Sequence, residues 1–306
     1  MKAVKKFTCQ PMTFWAYVRT ITEVDGYSAR GQDRVKAFTL EGAIAALRKR
    51  NLSTDDVSDA NGRATKLGKL LVDYSLHRAD VLNSHVRHDL MNAGEAKDLY
   101  ARLCDKYRLQ AANIPVNKQS GDKKTINYMT AIVHVIIAAH IDSAPCDYSP
   151  RGLTTYTRDG KPVRTLSRWL DGAFPSIVNP VATWEIKEYY YTTTFGSKVS
   201  DAIYVAQLDG MELNELRQTE GIDVQHYLMV DARDNWWKKG KSYLCRIVDM
   251  LHMGFASEVL FGREVETRLP VLVKDWSRLN KKRDSLTPRS RIPGAGNEPT
   301  TARSTD

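Results

Sequence analysis

The sequence predicts an α/β protein with an α+β tendency, in which a helical N-terminal domain precedes a mixed sheet flanked by helices. Three observations lead there. Residues 1–115 carry apolar side chains mostly at helical spacing. Beyond residue 150, short β-branched and aromatic runs alternate with helical stretches. Between them, residues 110–125 are polar and hold Pro115 and Gly121, so a linker is expected, drawn at 116–125.

The elements follow in order. In Leu40 to Leu52, Ile44 and Leu47 recur among alanines, and Arg48, Lys49 and Arg50 sit where cations favour a helix C-terminus. Ser53 to Asp56 and Ser58 to Gly62 read as loop. Helical spacing returns from Ala64 to Leu109 through Leu67, Leu70, Leu71, Tyr74, Val81 and Leu82, with Gly94 separating two helices. Ile126 to Ile141 is apolar almost all round, which predicts a buried helix.

The core is expected over residues 126–279. Thr154–Thr157 and the run from Val163 flank Asp159-Gly160, a hairpin turn signal. Val181 to Thr194 is rich in β-branched and aromatic residues and predicts a strand. Ser197 to Arg217 has helical spacing, Val224 to Val230 reads as strand, Ser242 to Met253 as helix and Val259 to Phe261 as a short strand. Residues 280–306 have only Leu286 and Ile292 as large apolar side chains, which predicts a disordered basic tail.

Charge narrows the partners. Lys and Arg total 45 against 36 Asp and Glu, a net charge of +9, so a polyanion is expected. No membrane span is expected: the most apolar stretch, Ala131 to Ile141, is too short to cross a bilayer and carries His134 and His140. No continuous apolar segment follows the basic N-terminus, so a cytoplasmic location is expected. Cys9, Cys104, Cys146 and Cys245 are scattered, which predicts reduced thiols and no cysteine-rich zinc site.

The chemistry concentrates in Leu170-Asp171-Gly172-Ala173-Phe174-Pro175 and Thr183-Trp184-Glu185-Ile186-Lys187. Alternate residues of a strand share a face, so Glu185 and Lys187 point one way while Trp184 and Ile186 point into packing. A connection of this length can bring Asp171 beside Glu185. Two carboxylates, with the Ile186 carbonyl between Glu185 and Lys187, make a candidate site for Mg²⁺, with Mn²⁺ as a substitute. Such an ion activates water and stabilises charge on a phosphodiester, and Lys187 can orient or deprotonate the water or bind the phosphate. Glu95-Ala96-Lys97 and Asp122-Lys123-Lys124 have similar spacing but lie on a charged helical stretch and in the linker. The alternative for Glu185 and Lys187 is a cross-strand ion pair on a solvated sheet face.

This segment resembles the PD-(D/E)xK nuclease superfamily, which includes many restriction endonucleases. Asp171 matches the first acid, Glu185 the second and Lys187 the lysine, and the likeness extends over residues 126–262. Leu170 stands where the family often has proline. The first core helix lacks an acid, Asp142 lying just after it, which leaves a second metal ion open. The absence of a Gln-x-x-x-Tyr pattern after the lysine favours a restriction-like member. The resemblance implies a restriction-endonuclease-like mixed sheet and a Mg²⁺-dependent endonuclease acting on DNA in restriction or antiviral defence. Cutting both strands at once favours a homodimer.

Phe195-Gly196-Ser197-Lys198 falls where a helix should begin, so Ser197 and Lys198 are candidate phosphate contacts, with an ordinary N-cap as the other role for Ser197. Trp236-Trp237-Lys238-Lys239-Gly240-Lys241 interleaves aromatics with cations. It suits base stacking with phosphate contacts from Lys238, Lys239 and Lys241, and equally a loop that packs its tryptophans and solvates its lysines. Tyr189-Tyr190-Tyr191 reads as sheet packing, and His85 and His88, spaced i and i+3, as a solvated or DNA-facing surface. The alternatives to a DNA endonuclease are a non-catalytic nucleic-acid-binding protein of the same fold and an RNA or repair nuclease.

Overall fold

A computed structural model describes residues 1–28, 31–109, 126–141, 144–191 and 197–286, apart from the side chains of residues 197, 198, 284 and 286. The expected linker and residues 287–306 of the expected tail lie outside the described residues.

The N-terminal part is helical, as expected. It holds α1 (Met12–Asp25), α2 (Leu40–Lys49) and α3 (Lys66–Val81), which continues through a π turn at Leu82–Val86 into α4 (Arg87–Asp89). The starts of α2 and α3 are capped by threonine side chains: Gly42 N donates to Thr39 Oγ1 at 3.1 Å and Gly68 N to Thr65 Oγ1 at 3.0 Å. Phe14, Trp15, Val18, Ile21, Leu47, Leu71 and Tyr74 form its own buried cluster.

Helix α5 (Ala93–Tyr107) opens with a capping box between Asn92 and Glu95. The break therefore falls at Leu90–Asn92, and Gly94 lies inside the first turn rather than between helices. Although α5 precedes residue 115, its Ala96, Leu99 and Leu103 pack with α6 (Tyr128–His140) and the sheet.

β1 (Thr155–Arg158) and β2 (Lys161–Thr165) form a separate antiparallel hairpin. Its turn residues Asp159 and Gly160 have φ 52° and 75°, which the glycine adopts without strain. The main sheet has the order β3 (Gly172–Phe174), β4 (Ala182–Glu188), β5 (Gln225–Asp231), β6 (Glu258–Phe261). β3 runs antiparallel to β4, and the other two pairs are parallel. α7 (Ser197–Glu220) connects β4 to β5, α8 (Lys241–His252) connects β5 to β6, and α9 (Glu264–Leu286) follows. Helix α9 runs through Asn280, so residues 280–286 are helical rather than tail.

The mixed sheet is covered on both faces. Ala182, Trp184, Ile186, Tyr227, Met229 and Leu260 face α5, α6 and α9. Leu228, Val230, Val259 and Phe261 face α7 and α8. On the first face Trp184 and Trp276 stack at 5.4 Å with 7° between planes. Gly172 makes room for this stack, because a Cβ there would lie 1.9 Å from Trp184 Cε2. β4 ends at Glu188, opposite the last paired residue of β5, Asp231, and residues 192–194 of the expected strand lie outside the described residues. Among the described residues no helix is long and apolar enough to cross a membrane.

Candidate active site

Asp171 immediately precedes β3, and Gly172 pairs with Trp184, so Asp171 falls beside Glu185 on the neighbouring strand. Asp171 N donates to Glu185 Oε1 at 3.1 Å, and Ile186 N donates to Asp171 Oδ2 at 2.7 Å. Lys187 Nζ reaches Glu185 Oε2 at 2.6 Å on the shared strand face. The three side chains expected to act together are therefore together. Glu185 is fully buried and Lys187 nearly so, which excludes a solvated ion pair. The N–H and C=O of a strand residue point to the same edge. The Ile186 carbonyl thus faces the side on which Asp171 lies.

Sequence reasoning missed the surroundings. Arg168 donates from Nη1 to Asp209 Oδ2 at 2.7 Å and from Nη2 to Glu185 Oε2 at 3.2 Å, and its Nη1 lies 2.9 Å from Glu185 Oε1 as an ion pair. Asp209 is fully buried on α7, and its Oδ1 has no partner among the described residues. Its signal was available: it falls on the apolar stripe of Ala206 and Leu213, where a carboxylate needs a partner. Arg168 lies on the irregular connection before β3 and had no comparable signal. Buried His226 on β5 shares a hydrogen bond of 3.0 Å with Thr183 Oγ1.

The charges are strongly coupled. Burial, reinforced by Glu185, pushes Asp171 up to about 6, against Lys187. Burial also opposes ionisation of Glu185, but Lys187 and Arg168 outweigh it and hold this carboxyl below its ordinary value. Burial opposes the charge on Lys187 as well, yet Glu185 and Asp171 hold its pKa above the usual lysine value. Lys187 is thus an ammonium, fitted to donate and not to accept a proton. Burial and Glu185 push Asp209 up to about 7, and burial pulls His226 down to about 4, leaving the imidazole neutral at pH 7.

The donor set suits a hard cation: two carboxylates and a main-chain carbonyl on one edge. Among the described residues no group of three or more His, Cys, Asp or Glu side chains converges on a metal position. Glu185 is meanwhile engaged by two cations, so a metal must displace Arg168 from it.

The outer candidates divide. Ser197 and Lys198 lie outside the described side chains. Lys238 is exposed and pairs with Asp234 at 2.6 Å, Lys239 is exposed, and Lys241 is mostly buried beside Asp33 at 3.2 Å and the Trp237 ring at 5.3 Å. Trp236 and Trp237 are buried, so they cannot stack on bases, and the packed alternative holds. A π turn at Asp234–Lys239 directs both rings inward, and Trp236 Nε1 donates to the Lys187 carbonyl at 3.2 Å. Tyr190 packs at the sheet end and donates its hydroxyl to Asp231. His85 and His88 are exposed.

Comparison with known proteins returns two family models: Domain of unknown function (DUF7687) over residues 91–276, and Domain of unknown function (DUF7690) over residues 1–85. No curated protein and no solved structure matches the chain. The boundary between the two family models falls just before α5, although Ala79, Leu82, Val86 and Leu90 before it already pack with the α7–α8 face of the sheet.

Proposed function

The chain belongs to the DUF7687 family, and on the site just described we propose that it is a Mg²⁺-dependent DNA endonuclease of the PD-(D/E)xK type. The observation that carries this reading is the convergence of Asp171, Glu185 and Lys187 through bonds of 3.1, 2.7 and 2.6 Å. A mixed sheet with the acid before one strand and the Glu-x-Lys pair on the next supports it. The excess of 45 basic over 36 acidic residues supports a nucleic acid as substrate.

Asp171, Glu185 and the Ile186 carbonyl would hold the cation. Mg²⁺ bound there supplies an activated water and neutralises charge on the scissile phosphate. Lys187, kept protonated by the two carboxylates, orients the attacking water and stabilises the developing negative charge. Arg168, held by Asp209 at 2.7 Å, would remain beside the site as a further positive charge for the phosphate. Exposed Lys238 and Lys239 hold the backbone of the DNA outside the site. Two copies of the chain, each cutting one strand, form the working unit, and restriction or antiviral defence is its setting.

One observation favours a second reading. Glu185 already has two cationic partners, as in a structural ion-pair network, which suits a non-catalytic DNA-binding protein of the same fold. A substrate panel decides between them. Supercoiled plasmid, single-stranded DNA and RNA are each incubated with Mg²⁺ or with EDTA. Nicked and linear plasmid in Mg²⁺ alone is the expected result. Binding without cleavage of any substrate supports the second reading, and cleavage of RNA alone moves the substrate class.

A further inference from the structure

We propose that a cleft between α1 and the α7–α8 layer binds a nucleotide, meaning a base that carries a phosphate. The cleft has a volume of about 320 Å³, and Arg19, Tyr27, Tyr204, Gln207 and Arg246 line it. A neighbouring pocket of about 210 Å³ shares Tyr27 and adds Lys238, Lys239 and Ser242. Neither contains Asp171, Glu185, Lys187, Arg168 or Asp209, and the inference does not rest on the nuclease reading.

The charge balance of the cleft is incomplete without an anion. Its two acids are already satisfied: Glu23 pairs with Arg50 at 2.6 Å, and Asp249 is held by buried Arg78 at 3.0 Å. Among the described residues Arg19 and Arg246 reach no carboxylate. Arg19 donates to Met253 Sδ at 3.4 Å and Arg246 to the Tyr204 hydroxyl at 3.5 Å. Arg246 is half-buried, and a partly desolvated guanidinium favours an anionic partner. Lys239 adds positive charge from the adjoining pocket, where Lys238 is paired with Asp234 at 2.6 Å.

The aromatic lining specifies what the anion is attached to. Arg246 lies over the Tyr27 ring at 5.9 Å and the Tyr243 ring at 5.4 Å, within cation–π reach of both. Tyr204 leaves 59% of its surface exposed at the rim, so its ring is open to a base. The Gln207 amide both donates and accepts, as the edge of a base requires. Stacking planes, an amide and unpaired cations in one junctional cleft match a nucleotide, either free or as one unit of a strand.

Equilibrium binding in EDTA tests this without any cleavage. The probes are mant-ATP and a short fluorescein-labelled single-stranded DNA, with wild type, Tyr204→Ala and Arg246→Ala. Tyr204 is exposed, so its variant folds, and thermal melting controls for Arg246→Ala. The expected result is binding by wild type and a loss on the order of tenfold in each variant. Binding of both probes shows that base and phosphate suffice, and binding of the strand alone assigns the site to a nucleic acid. No binding of either probe by wild type, or unchanged binding by both variants, overturns the proposal.

Discussion

Arg168 holds Glu185 with both terminal guanidinium nitrogens, at 2.9 and 3.2 Å, while one of them also holds Asp209 at 2.7 Å. The charge of Glu185 is therefore neutralised from within the protein. Any cation binding at Glu185 competes with this arginine. The two equilibria are linked, and their coupling is measurable from either side.

Arg168→Ala removes the competitor and leaves Glu185 with Lys187 alone. Its affinity for Mn²⁺, followed by electron paramagnetic resonance of the free ion, rises on the order of tenfold over wild type. Equal or weaker binding contradicts the competition.

Gly172→Ala places a methyl group against a fixed ring. Its Cβ would lie 1.9 Å from Trp184, whose indole is stacked on Trp276 and cannot retreat. Urea denaturation should show a loss of about 1–3 kcal/mol or more from overpacking. A stability equal to wild type would mean that the stack moves freely.

Glu188 supplies a pH signature. Its carboxylate accepts from Met129 N at 2.9 Å and from Thr130 N at 3.2 Å at the start of α6. Burial outweighs these donors and pushes the group from 4.5 up to about 7. A carboxyl raised on folding binds its proton more tightly in the folded state. Its contribution is therefore full below the unfolded value and is lost as pH rises through about 7. The stability of wild type relative to Glu188→Gln should fall across this window, by at most about 1.4 kcal/mol per pH unit. Parallel stability curves for the two proteins contradict the shift.

Asp249→Ala tests how the N-terminal helices are tied to the core. Arg78 on α3 donates to both oxygens of Asp249 on α8 at 3.0 Å, and the Tyr74 hydroxyl adds a bond of 2.6 Å. Removing the carboxylate leaves a buried guanidinium without its counter-charge, at a cost of about 3–5 kcal/mol. A change in thermal melting too small for that loss would show that water replaces the partner.

Much of this was legible in the residues, and the rest failed for identifiable reasons. Strand alternation put Glu185 and Lys187 on one face, and the length of the connection allowed Asp171 to lie beside Glu185, where the structure has it. Arg168 and Asp209 meet Glu185 only through tertiary packing, so no local pattern connects the three. The β-rich run after Val181 read as strand to Thr194, but its partner strand ends opposite Glu188, and Tyr189 to Tyr191 are not strand. Trp236 and Trp237 lie in a π turn, whose side-chain directions no helical or strand period describes. Gly94 looked like a helix break because the capping box that starts α5 two residues earlier outranks it.

The most direct test of the central claim is Lys187→Ala on supercoiled plasmid with Mg²⁺, beside wild type, with DNA binding and thermal melting recorded for both. Lys187 donates to Glu185 at 2.6 Å and is the cation placed to orient the attacking water. The account predicts cleavage by wild type and loss of at least about a hundredfold in the variant, with the fold and DNA binding retained. Cleavage by Lys187→Ala at the wild-type rate, or no cleavage by wild type while it binds DNA, contradicts it.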